Sequence, residues 1–220
     1  MNRGILVLTT VLVAACGGRP SLEPAPGAQP APGGGYAGFT DGVMVTADPD
    51  AWRGVPRRLD TVTPVLVTIQ NDGTTPVRIR YNEFTLVAPD GRRYAAIPPF
   101  QVRGTEVESI SDLEYSGFYV APWYSRYYPR IRPFRGYPYT FDPVYYDRYY
   151  PRFVELALPT GDMIQKALPE GVLEPGGRVS GFLYFENVSG DVPSVDFRAE
   201  LVNAATGEPF GAVNIPFLVD

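Results

Sequence analysis

Apolar and polar residues alternate with a period of two along much of this chain. Val65, Val67 and Ile69 fall on one face, with Thr68 and Gln70 on the other, which is the pattern of a half-buried strand. Asn71-Asp72-Gly73-Thr74-Thr75-Pro76 then concentrates turn-forming residues. Val77, Ile79 and Tyr81 resume the alternation against Arg78 and Arg80. Phe84, Leu86 and Ala88 carry it to a second turn at Pro89-Asp90-Gly91, and Tyr94 and Ala96 predict another short strand. Val43 and Val45 predict the first strand of the series. In the C-terminal part, Pro175-Gly176-Gly177 precedes a run from Val179 to Glu186 that is apolar on both faces. Val195, Phe197, Ala199 and Leu201 alternate with Asp196, Arg198 and Glu200. After the turn Ala205-Thr206-Gly207, Val213, Ile215, Phe217 and Val219 follow. One short helix is predicted, Asp162 to Leu168, capped by Thr160 and stopped by Pro169.

About seven short strands separated by turns predict an all-β chain built as an antiparallel β-sandwich. Pro64 to Asn71, then Phe84-Thr85-Leu86-Val87 before Asp90-Gly91, then Leu173-Glu174-Pro175-Gly176-Gly177 leading into Gly181-Phe182-Leu183-Tyr184-Phe185, together resemble a bacterial group of immunoglobulin-like envelope domains. The resemblance covers roughly half of the chain. It implies an immunoglobulin-like sandwich serving as a binding or structural module, although a long insertion departs from that group's compact pattern.

The N-terminus follows different rules. Arg3 precedes an apolar run from Gly4 to Ala15, interrupted only by Thr9 and Thr10. The run is shorter than the roughly 20 residues of a membrane-spanning helix and has the form of a secretory signal. Val13-Ala14-Ala15-Cys16 resembles a lipobox, which implies cleavage after residue 15 and lipid attachment to Cys16, with the membrane as partner through that anchor. Cys16 is the only cysteine, so lipidation would consume a thiol that has no intrachain partner. Gly17 follows the cysteine, where an aspartate in such lipoproteins often favours inner-membrane retention, so its absence leans the expectation toward the outer membrane, facing the periplasm. Residues 16–35 are expected to be the lipidated cysteine and a disordered Gly/Pro/Ala-rich tether, and residues 36–220 the β domain. As a coil, nineteen tether residues would reach roughly 25 Å, and at most about 60 Å if extended, holding the domain clear of the lipid surface.

Composition then changes the picture at about residues 115–153. Tyrosines crowd this stretch, among them Tyr124, Tyr127, Tyr128, Tyr145, Tyr146, Tyr149 and Tyr150. Arg126, Arg130, Arg132, Arg135, Arg148 and Arg152 accompany them, and prolines recur throughout. Arg126-Tyr127-Tyr128-Pro129-Arg130 returns as Arg148-Tyr149-Tyr150-Pro151-Arg152. The prolines exclude a long helix or a central strand. One reading is an irregular loop whose rings pack on the sandwich. Another is a recognition surface of rigid aromatics and forked guanidinium donors, aimed at an envelope polymer such as peptidoglycan or an anionic glycan, or at an envelope protein. A third is contact with the membrane interface.

Charge and missing chemistry narrow the function class. The formal net charge is −5, which argues against nucleic acid as a partner because that binding depends on neutralising phosphates. The chain has no histidine, removing Ser-His and Cys-His pairs and the commonest metal ligand. No catalytic residue, metal site or cofactor is predicted. Asp48-Pro49-Asp50 and Asn71-Asp72-Gly73 read as turns rather than calcium loops. The expectation is a non-catalytic envelope lipoprotein. The alternatives are a glycan-acting enzyme using paired carboxylates among Asp112, Glu114, Asp142 and Asp147, and a purely structural assembly subunit.

Overall fold

A computed structural model describes residues 20–109 and 153–220. The protein is all-β and antiparallel, with one short helix. Fourteen strands are present among these residues: β1 Leu22–Pro24, β2 Gln29–Pro30, β3 Tyr36–Thr40, β4 Val43–Asp48, β5 Val62–Asn71, β6 Val77–Ile79, β7 Phe84–Val87, β8 Arg93–Ile97, β9 Thr105–Ser109, β10 Phe153–Ala157, β11 Gly171–Leu173, β12 Arg178–Glu186, β13 Ser194–Asn203 and β14 Pro209–Val219. The helix, α1, spans Gly161–Lys166.

Twelve strands form one curled sheet in the order β1-β14-β13-β7-β8-β12-β5-β4-β3-β2, with β6 bridging β13 and β11. The sheet doubles into two layers at β8. Its first half pairs with β7 and its second half, at Ala96 and Ile97, pairs with β12. The predicted alternations supply the core between the layers. Val65, Val67 and Ile69 of β5 and Leu183 and Phe185 of β12 meet Phe197 and Ala199 of β13 and Ile215 and Phe217 of β14. Phe185 meets Phe197 edge-on at 6.1 Å.

Residues 20–35 depart from the disordered tether expected of them. Leu22 is buried in the main core, and β1 pairs with β14 in the register Leu22↔Val219. Ser21 and Asp220 exchange backbone hydrogen bonds of 2.8 and 3.0 Å. Further on, β2 pairs with β3. Backbone pairing makes no demand for alternation in a three-residue strand, so the composition of this stretch concealed it. Its prolines are tolerated because β1 and β2 stand at the two ends of the strand order, where proline's missing N–H is not needed by a neighbour. Only Ala25–Ala28 separates these two edge strands. The curl therefore brings the ends of the sheet together. A Cβ on Gly38 of β3 would lie 2.4 Å from Val213 of β14.

The helix begins as predicted, with the Thr160 hydroxyl accepting from the Met163 N–H, but ends at Lys166. Leu168 instead donates its N–H to the Phe182 carbonyl at 2.9 Å. Gly181 permits this approach, since a Cβ there would sit 2.5 Å from the Leu168 backbone.

Candidate functional site

The run predicted to be apolar on both faces explains a second cluster. In β12, Leu183 and Phe185 face the main core, while Phe182 and Tyr184 face outward. There they join Trp52, Leu59, Val62, Val102, Leu158 and Met163. Trp52 stands edge-on to Phe182 at 5.0 Å and to Tyr184 at 6.0 Å. The polar ends of these rings are satisfied: the Trp52 indole donates to the Pro56 carbonyl at 2.7 Å and the Tyr184 hydroxyl to the Met163 carbonyl at 2.9 Å. Burial pushes the Tyr184 hydroxyl well above the usual phenol range, with Tyr81 and Asp162 adding to the shift.

This outer cluster is roofed by the loop Ala51–Leu59 and clamped by carboxylates. On one side Asp162 of α1 accepts from the Val55 N–H at 3.0 Å and from the Lys166 ammonium at 3.0 Å. Those contacts, Lys166 first and the Val55 N–H second, hold the Asp162 carboxyl below the usual carboxylate range. The Thr160 hydroxyl donates to the Val55 carbonyl and the Lys166 ammonium to the Arg53 carbonyl. On the other side stands the two-stranded ribbon of β9 and β10. Glu106 accepts from the Thr61 N–H at 2.7 Å and Glu108 from the Arg57 N–H at 2.8 Å. Both glutamates are buried, while Val107 between them is 64% exposed. The second Glu108 oxygen, Oε2, is buried with no hydrogen-bond partner among the described residues.

The ribbon matters because it carries the ends of the aromatic-basic insertion. Ser109 and Phe153 are paired across it. The insertion residues themselves, Tyr124, Arg126, Tyr127, Tyr128, Arg130, Arg132, Arg135, Tyr145, Tyr146, Arg148, Tyr149, Tyr150 and Arg152, lie outside the described residues, as do Cys16 and the acids Asp112, Glu114, Asp142 and Asp147.

Beside the loop a groove of about 220 Å³ is lined by Pro20, Ser21 and Leu22 together with Asp50, Trp52, Arg53, Arg57 and Leu59. Sequence reasoning passed over this loop. The available signal was Arg53, Arg57 and Arg58 with no acid between Ala51 and Leu59, in an acidic chain. Both turns weighed as calcium loops hold their own backbone instead. Asp48 accepts from the Asp50 N–H, and Asn71 bonds Gly73, Thr75 and Leu173. Among the described residues no cluster of three or more acidic, histidine or cysteine side chains is placed to hold a metal ion. Comparison with known proteins returns no match for this chain among family profiles, curated proteins or solved structures.

Proposed function

We propose that this protein is a non-catalytic envelope lipoprotein, anchored through lipid on Cys16, in which an immunoglobulin-like β domain displays the Tyr/Arg/Pro-rich insertion to an envelope polymer or partner protein. The proposed address is the periplasmic face of the outer membrane. The observation that carries the binding role is the β9–β10 ribbon. It is a paired stem that receives both ends of the insertion and is fastened to the body by two buried glutamates. Tyrosine offers large contact area at low entropic cost, and arginine offers forked donors to carboxylate or phosphate.

The stem also permits a clean test. Because Ser109 and Phe153 are directly paired, an Asn-Gly turn replacing residues 110–152 should close it as a two-residue hairpin. The shortened protein is expected to keep the near-ultraviolet dichroism of the domain and to lose the partner recovered by crosslinking in intact cells. A shortened protein that folds and retains every crosslinked partner refutes the role given to the insertion.

A further inference from the structure

The Ala51–Leu59 loop is an unassigned basic surface. Arg53, Arg57 and Arg58 are all exposed, and Val55 between them is 41% exposed. Asp50 and Asp60 bound the loop but lie outside it. The Arg53 guanidinium donates to the Asp50 and Trp52 carbonyls, both at 2.7 Å, so its charge is held in place without being neutralised. Arg57 and Arg58 form no ion pair among the described residues. The Asp162 and Glu108 carboxylates hold the backbone at Val55 and Arg57, so the loop that carries these side chains is itself fixed in place.

Position supplies the second line of argument. Pro20, Ser21 and Leu22 share a groove with Arg53 and Arg57, so the described chain begins beside this loop. Gly17, Gly18 and Arg19 alone stand between Cys16 and Pro20, and covalent geometry limits these four Cα-to-Cα steps to about 14 Å. If Cys16 carries lipid, this end of the domain cannot move away from the headgroup layer.

We propose that the Ala51–Leu59 loop seats on the phosphates of anionic phospholipids in the anchoring membrane, with Arg53, Arg57 and Arg58 on the headgroups and Val55 entering the interface. The inference rests on the lipidation of Cys16. Each arginine near an anionic surface strengthens association roughly fivefold, so the three together contribute on the order of 100-fold.

The test uses the lipidated full-length protein. Since Cys16 is the sole cysteine, Val55→Cys supplies one thiol for a fluorophore, and Thr206→Cys supplies a control in the turn before β14, roughly 30 Å along that strand from its Val219 end, which pairs with Leu22. Each is reconstituted in phosphatidylcholine vesicles, with and without phosphatidylglycerol, that carry a headgroup quencher. Quenching at position 55 is expected to exceed that at 206 several-fold, to rise with phosphatidylglycerol and to fall with added salt. Arg53→Ser, Arg57→Ser and Arg58→Ser combined should abolish the phosphatidylglycerol dependence. Equal quenching at the two positions, or no dependence on phosphatidylglycerol, overturns the proposal, and neither reading requires the triple variant to fold. Mass spectrometry of the same sample separates the two levels of inference. An unmodified Cys16 overturns the anchoring as well, whereas a lipidated protein with an unquenched probe at 55 overturns only the seating of the loop.

Discussion

Two apolar clusters share the strands β5 and β12 but are assembled in different ways. The main core lies between two hydrogen-bonded layers, and its members come from regular alternation on β4, β5, β12, β13 and β14. The outer cluster has a sheet on one side only. Its other wall is the Ala51–Leu59 loop, the short helix α1 and the chain at Val102 and Leu158, held by carboxylates that accept from backbone amides. Ladders satisfy backbone groups as a by-product of forming the sheet. An irregular cover must satisfy them one at a time, which is why buried acids gather around the outer cluster. That cover also carries the stem of the insertion and the basic loop, so the less regular region holds the functional candidates.

Substitutions can separate the two regions. The largest effect is expected in the main core. Phe197, fully buried there, should cost about 3 to 5 kcal/mol when changed to alanine, lowering the urea midpoint equally for every spectroscopic probe. Gly181→Ala should cost about 1 to 3 kcal/mol through overpacking against the Leu168 backbone. Its damage should be confined to the outer cover, so hydrogen exchange should accelerate at residues 158–168 while the amides of β13 and β14 stay protected. Uniform acceleration across both clusters would show that they unfold as one unit.

Glu106→Ala removes the acceptor of the Thr61 N–H and is expected to cost about 1 to 3 kcal/mol. Glu108→Gln keeps an oxygen for Arg57 and should cost less than Glu106→Ala in the same urea titration. A larger loss for Glu108→Gln would mean that the carboxylate charge, not its acceptor role, holds the ribbon.

The smallest effect concerns pH. The Asp162 carboxyl titrates below its ordinary value of 3.8 in the folded protein. Its stabilisation is therefore fully present above that value and is lost as pH falls through the depressed folded value. Both side chains of the Lys166 pair are more than a third exposed, so screening keeps the effect to about a few tenths of a kcal/mol. Exchange at the Val55 amide should rise in that acidic window in the wild type, and Asp162→Asn should remove this dependence.

Much of the fold was legible because burying one face of a strand imposes a period of two. Val65, Val67 and Ile69 lie inward as their spacing requires, and so do Phe197 and Phe217. The double-sided run in β12 correctly implied a strand covered on both faces. Two features escaped for physical reasons. Short edge strands at residues 22–24 and 29–30 are held by main-chain pairing, which leaves little mark on side-chain pattern. On β9, Glu106-Val107-Glu108 would ordinarily place valine inward, yet the glutamates are buried and the valine is exposed.

By itself, the sequence determined the alternating strands β4 to β8 and β12 to β14, their inward faces, the turns between them and the capped helix, because these follow from local periodicity and backbone preference. Tertiary structure alone decided that the glycine- and proline-rich stretch closes both edges of the sheet, and that two glutamates turn inward. It also decided that the Ala51–Leu59 arginines lie beside Pro20, where the described chain begins. Each of these depends on which backbone donors and strand edges arrive from elsewhere in the chain, and no local pattern encodes the arrival of a distant partner.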